Sequence, residues 1–247
     1  MFPKQLHEGA ILVADSHCAV WRPIFIDFLG ALERDEIQTT QLVLMGDNFD
    51  LLFGPVTQTL HENVDSIALL NRLSQKIETI YLEGNHDFRL TSLFPDINVV
   101  DRSQQPLFLT YQEQRVALLH GDLLVPFGYS LYTRLIRNRS ILFFLNIINT
   151  LFNGIIINKL SQQMQDKNHC KKIQNFEVIA ARHSTAPWSD KCDVVIEGHF
   201  HQNRTFEIGK LKYINLGAFA CNERYYVVKS LQERTILDEV IFHKEPR

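Results

Sequence analysis

Paired cysteines are missing from this 247-residue chain: Cys18, Cys170, Cys192 and Cys221 are scattered, with no Cys-x-x-Cys unit among them. That spacing argues against a disulfide framework and against a thiolate zinc site, and it points to a reducing compartment. A secretory core is lacking too. Residues 1–9 are mostly polar, and the apolar run Ala10 to Ala14 meets Asp15 after five residues. Such a run is too short for a leader, so the cytosol is the expected location. There are no internal repeats or low-complexity segments. The net charge of -3 offers no broad basic footprint, which excludes nucleic acid as the expected partner, and no obligate protein partner is implied.

What is present is apolar mass and an uneven charge distribution. With 45% hydrophobic residues, the chain can bury one large core, read as a single domain over residues 1–247. From Leu123 to His183, eight Lys and Arg stand against two acids, Asp166 and Glu177, so this stretch is net positive by six and the remainder net negative by nine. A basic lobe on an acidic body suits an anionic ligand or a membrane surface; a solvated helical face is the plainer reading.

Short apolar runs read as buried strands at Ala10 to Ala14, Gln41 to Met45, Thr79 to Leu82, Arg115 to Leu119 and Asp193 to Ile196. Helical patterns at Pro23 to Arg34 and Glu62 to Gln75 give the alternation of a layered α/β domain. Runs at Leu211 to Leu216, Tyr225 to Lys229 and Ile236 to Phe242 read as strands completing a second sheet. Residues 123–183 break the alternation and read as an inserted helical cap.

Each strand ends in polar residues: Asp15-Ser16-His17, Gly46-Asp47-Asn48-Phe49-Asp50, Gly84-Asn85-His86-Asp87, His120-Gly121-Asp122 and Gly198-His199-Phe200-His201. Imidazole, carboxylate and amide oxygen together form a donor inventory suited to manganese, iron, zinc or cobalt rather than calcium, and sufficient for two ions. Any one cluster alone is a turn more often than a ligand set; five in order are a pattern. Asp50, Asp87 and Asp122 read equally well as caps or turn residues. Cys18 reads as packing, and His7, His61, His169, His183 and His243 as surface or packing residues.

These five blocks resemble the calcineurin-like metallophosphoesterase family. The resemblance spans Asp15 to His201, with a further match at Asn215-Leu216-Gly217-Ala218. It implies a four-layer α-β-β-α sandwich with an inserted helical cap and a hydrolase with two divalent ions, manganese foremost. Asp15, His17 and His201 would hold one ion, Asn85, His120 and His199 the other, and Asp47 would bridge them. The ions would acidify a water that attacks phosphorus in line. His86, no ligand, would stabilise developing charge or protonate the leaving oxygen, with Asp87 or Asp50 as orienting partners for nearby groups and Asp87 placed with His86 in the catalytic set.

The insertion adds a substrate expectation. Ile141 to Ile157 is almost wholly apolar, interrupted by Asn146, Asn149 and Asn153, which on one helix would form a narrow polar stripe. With Arg134, Arg137 and Arg139 before it, this is read as an interfacial or lipid-binding helix, or else as a buried cap helix. The arrangement is similar to the UDP-2,3-diacylglucosamine hydrolases of lipid A synthesis, in Phe88 after the Gly84 block and in Tyr129, Tyr132 and Arg134 after His120. Departures at His86 and at Val125 to Gly128 indicate a divergent branch. The resemblance implies cleavage of the pyrophosphate to UMP and 2,3-diacylglucosamine 1-phosphate at the cytoplasmic face of the inner membrane. Tyr132, Arg134, Arg137, Arg139, Phe143, Phe144, Lys159 and, more loosely, Leu142, Ile148 and Lys167 would meet this nucleotide-linked glycolipid. The alternatives are another phosphomonoester or phosphodiester as substrate, or a non-catalytic peripheral membrane or scaffold protein.

Overall fold

Side chains alternate between the two faces of a strand, so a strand covered on both faces is apolar at every position. Ile11–Val13, Leu42–Leu44 and Thr79–Leu82 are buried throughout in this way. In the computed structural model, which describes residues 5–124, 127–229 and 236–242, they lie parallel in the middle of a six-stranded sheet. Its order is Leu237–Ile241, Arg224–Val228, Ile11–Val13, Leu42–Leu44, Thr79–Leu82, Asn98–Val100. A second sheet runs Arg204–Ile208, Leu211–Asn215, Val194–Glu197, Gln114–Leu119, Leu107–Tyr111. Residues 125 and 126, His243 and the side chain of Tyr129 lie outside the described residues.

The helices are α1 (Ile24–Glu33), α2 (Thr57–Glu62), α3 (Val64–Ser74), α4 (Phe127–Ile136), α5 (Arg139–Leu151), α6 (Ile155–Gln165), α7 (Phe176–Ala181) and α8 (Phe219–Asn222). Ile11, Val13, Leu42 and Leu44 face α1 and α3, meeting Phe25, Phe28, Leu69 and Leu73. The alternate residues, Leu12, Ala14, Val43 and Met45, face the second sheet at Val116, Leu118, Val194 and Ile196. The far side of that sheet is covered by Phe176 and Ala180 of α7. The result is helix, sheet, sheet, helix: the expected four-layer α-β-β-α sandwich.

Several expectations are corrected. Of the three C-terminal runs read as completing the second sheet, only Leu211–Asn215 joins it; Arg224–Val228 and Leu237–Ile241 return to the first, where Ile11 pairs antiparallel with Val227. The segment read as one cap divides: α4 to α6 lie over α2, whereas α7 is a layer of the sandwich. Cys170 and Cys221 form a disulfide, although 51 residues separate them. Their pairing comes from the insertion's return passing over α8, which spacing along the chain does not reveal. Cys18 and Cys192 are free and buried.

The apolar run Ile141 to Ile157 is two helices, not one. Asn153 and Gly154 adopt left-handed backbone at φ 50° and 81°, and α5 and α6 diverge by 96°. Among the described residues no single helix is long and apolar enough to cross a membrane. The amides do not form a stripe toward a ligand. Asn138 starts α5 by accepting from the N–H groups of Ser140 and Ile141. Asn149 Oδ1 accepts from the N–H groups of Ile156 and Ile157 at 3.0 Å each, satisfying donors that a helix start leaves orphaned. Asn146 Oδ1 takes the Thr57 N–H at 3.1 Å, tying the insertion to α2. Below, Leu142 and Ile157 pack on Phe53, Val56 and Phe88, so Leu142 is a core residue and not an acyl contact. On the outside, Phe143, Phe144, Ile148, Leu151, Phe152 and Ile155 are 43 to 73% exposed.

Arg137, expected at the substrate, is buried instead. Its guanidinium meets Glu83 Oε2 at 3.3 Å, donates to the Gly84 carbonyl and lies 5.0 Å above the Phe88 ring. The α4–α5 junction is thereby fastened to the loop that carries Asn85. Removing one partner of a buried pair leaves the other charge uncompensated. Arg137→Ala is expected to destabilise the fold by about 3–5 kcal/mol in urea titrations, while Arg139→Ala, at an exposed position, stays within about 0.5 kcal/mol.

Candidate metal centre

Ligands in α/β sheets gather beyond the carboxyl ends of the strands, where chains leave the sheet and polar side chains have room. Here those ends belong to both sheets. The loops after Ile11–Val13 and Leu42–Leu44 zip together, Asp15 N–H to the Gly46 carbonyl (3.1 Å), His17 N–H to that of Asp47 (3.0 Å) and Cys18 N–H to that of Asn48 (2.8 Å). Asp15, His17, Asp47, His199 and His201 all have φ between 45° and 63°, a region non-glycine residues seldom occupy. Such strain, about 1 kcal/mol or more each, persists where surrounding contacts over-determine it, as at functional sites. Close approach also fixes glycine: a Cβ on Gly198 would stand 2.5 Å from Asp15 Oδ2, and one on Gly84 would overlap Asp47.

All seven residues expected as ligands meet at this seam. His120 Nε2 lies 3.2 Å from Asn85 Oδ1, 3.2 Å from His199 Nδ1 and 3.4 Å from Asp47 Oδ2. His201 Nε2 lies 3.1 Å from Asp15 Oδ1. Asp15, His17 and Asp47 form one cluster with ligand atoms within 4.8 Å of one another, and Asp47, His120 and His199 form a second. Asp47 is common to both.

The tautomers follow from the partners. A carbonyl only accepts, so His120 Nδ1 donates to Met45 O (3.1 Å) and His201 Nδ1 to His169 O (2.5 Å), leaving each Nε2 lone pair aimed inward. His17 Nδ1 donates to Asp50 Oδ1 at 3.0 Å, and its buried Nε2 has no partner. Lone pairs converging in a dry site repel unless a cation or proton lies among them, and carboxylate, imidazole and amide oxygen are the donors that borderline divalent ions take. The residues therefore fit divalent ions. A proton takes that place at His120, where burial opposes charge yet the Asp47 carboxylate raises the pKa to about 10. Burial and then His120 push His199 down to about 4, and burial and then His86 hold His17 well below its ordinary range, so both are neutral donors.

Asp87 is corrected. Fully buried, its carboxylate accepts from the N–H groups of Asp47 (2.9 Å), Asn48 (2.6 Å) and Gly84 (2.9 Å) and from Tyr81 OH (2.6 Å). It reaches no cavity and acts as the splint between the Asp47 and Asn85 loops. Asp50 is the residue that orients His17. His86 lies beside the donors: its N–H donates to Asp47 Oδ1 (2.8 Å), Nδ1 donates to Asp50 O (3.0 Å), and Nε2 lies 3.4 Å from Lys167 Nζ, a residue that lines the cavity. Asn215 braces the His-x-His loop, accepting from Gln202 N (2.8 Å) and donating to Gly198 O (2.6 Å).

The cavity over the donors, about 200 Å³, is lined from the insertion by Lys167, Asn168, His169, Lys171 and Ile173. None of Tyr132, Arg134, Arg137, Arg139, Phe143, Phe144 and Lys159 lines it. Arg139, Phe143 and Phe144 border a separate groove of about 890 Å³, Arg134 and Arg137 another, and Tyr132 and Lys159 are exposed elsewhere. The larger groove holds no cluster of metal donors, so the chemistry is assigned to the smaller one. Sequence reasoning passed over His169 and undervalued Lys167; the density of cations from Lys167 to Lys172 was the available signal.

Sandwich and donor set together make a candidate centre for divalent ions at the seam of two sheets. Among curated proteins the chain is similar to UDP-2,3-diacylglucosamine hydrolases, 29% identical over 213 residues to that of Photorhabdus laumondii, covering 80% of this chain and 84% of the relative. That of Stutzerimonas stutzeri is 27% identical over 203 residues, covering 80% and 84%. No family model matches. Among solved structures, the E. coli phosphoesterase Yfce aligns with 95% of this chain and 99% of its own at 16% identity and a TM-score of 0.47.

Because Asp47 serves both clusters, it decides metal response. Divalent ions added to chelator-treated protein are expected to raise its melting temperature in scanning fluorimetry, and Asp47→Ala to remove most of that rise.

Proposed function

We propose that the chain is a two-metal hydrolase cleaving the pyrophosphate of UDP-2,3-diacylglucosamine to UMP and 2,3-diacylglucosamine 1-phosphate. The observation that carries the reaction type is the pair of donor clusters sharing Asp47, with lone pairs directed at two neighbouring points. Asp15, His17 and His201 hold one ion, Asn85, His120 and His199 the other; manganese fits their mixture of carboxylate, amide and imidazole. When bound, the ions supply an acidified water and positive charge against the phosphoryl oxygens.

The chain's own groups do the rest. His86, whose Nδ1 donates to the Asp50 carbonyl, accepts at Nε2 from the Lys167 ammonium 3.4 Å away, and the pair holds charge developing on the leaving oxygen. Lys167 and Lys171 at the rim draw in an anionic pyrophosphate and help hold it. The names of the relatives support the nucleotide-linked glycolipid as substrate. The outer apolar surface of α5 and α6 supports acyl-chain contact and peripheral association with the cytoplasmic face of the inner membrane. Each methylene transferred from water is worth about 0.8 kcal/mol.

Metal-dependent release of UMP from the UDP-linked diacyl sugar, compared with hydrolysis of an aryl phosphate, tests the substrate. Preference for the aryl phosphate would remove the lipid assignment and leave a generic phosphoesterase. His120→Ala is expected to abolish turnover with circular dichroism unchanged; full activity in this variant would refute the ligand assignment. Phe144→Asp with Leu151→Asp is expected to lower co-sedimentation with anionic phospholipid vesicles at least tenfold, and equal sedimentation of the two proteins would rule out this face as the contact.

A further inference from the structure

His169 is buried, at 6% exposure, on the strand-less segment by which the insertion returns to the sandwich. Its ring stacks at a tilt on that of His17, centroids 4.0 Å apart, and lies 6.2 Å from that of His201. Neither ring nitrogen makes a well-formed hydrogen bond: the Met164 backbone is a weak partner, and Asp50 Oδ1 is 4.0 Å from Nε2. Buried imidazoles nearly always satisfy at least one nitrogen, so this one calls for an explanation. One is at hand: a nitrogen of His169 stands within 4.8 Å of nitrogens of His17 and His201, a third cluster able to hold a cation.

The segment is fixed where this requires. The His169 carbonyl accepts from His201 Nδ1 at 2.5 Å, orienting that ligand's Nε2 toward Asp15. Cys170 is bonded to Cys221 of α8, and Lys172 Nζ donates to the Gln202 carbonyl at 3.3 Å while Gln202 Oε1 accepts from Ile173 N at 2.8 Å. A residue serving only to fill space would need none of this attachment to the His-x-His loop.

We propose that His169 is an additional protein ligand of the ion held by Asp15, His17 and His201, contributed by the insertion and not by a strand end of the sandwich. The assignment rests on the two-ion reading above. It makes the insertion part of the metal centre, so that displacing the return segment weakens one ion and spares the other.

The test is titration of the chelator-stripped full chain with Co2+, followed by calorimetry and by visible absorption of the bound ion. The unaltered protein is expected to take up two ions, and His169→Ala to weaken one binding step at least tenfold, changing its cobalt spectrum, with the other step within twofold. His169→Gln, closer in bulk, carries the same expectation if the alanine variant loses its circular dichroism. Two steps and two spectra identical to those of the unaltered protein would overturn the role of His169 and leave the two-ion reading standing. Failure of the unaltered protein to bind cobalt would overturn both.

Discussion

Lone pairs aimed at shared points, inside a seam between two apolar sheets, are the constraint to which the rest of this molecule answers. Carboxylates and imidazoles at such depth lose their hydration and must be supplied with partners. The protein supplies them in layers. Backbone carbonyls of Met45 and His169 take the Nδ1 protons of His120 and His201, and Asp50 takes that of His17. Asp87 gathers three backbone N–H groups beneath Asp47 and Asn85. Left-handed backbone at five of the seven donors is the strain that these contacts sustain.

The same constraint joins the insertion to the body. Arg137 enters from the α4–α5 junction to neutralise Glu83 and hold the Gly84 carbonyl, so the loop bearing Asn85 is positioned from above as well as from its own strand. On the opposite side the segment around His169 meets His17 and His201. Between these two attachments, α5 and α6 are held to α2 by Asn146 and Asn149, and their apolar residues on the far side are left facing outward.

How much of this the sequence disclosed follows from which signals are local. Strands buried on both faces are unbroken apolar runs, so Ala10 to Ala14, Gln41 to Met45 and Thr79 to Leu82 were legible, and the polar residues ending each run marked the site. Asn98–Val100 and Leu107–Tyr111 were not, because partly buried edge strands mix polar with apolar residues. The return of Arg224–Val228 to the first sheet is a matter of pairing, which side-chain pattern does not encode. Arg137 was read as a substrate contact because its partner Glu83 lies 54 residues away in sequence. His169 carries no motif at all; only the folded path of the insertion brings it beside His17. Asp87 was read correctly as belonging to the site and wrongly as belonging to its chemistry, since Gly-Asn-His-Asp gives position without direction.

The insertion departs after Gln114–Leu119 and rejoins the body at Val194–Glu197, and these two strands are parallel neighbours. It departs at His120, on the rim that bears His199, and returns at Asp193, level with Arg115 at the opposite end of the sheet, so it is a crossover that runs the length of both strands. Within that crossover α7 is a layer of the sandwich, whereas α4 to α6 lie outside both sheets and can change in length without shifting the register of either. Change confined to α4 to α6 thus leaves the donor cluster where it is, except at Arg137 and His169, where any replacement would have to re-create a contact with the sandwich.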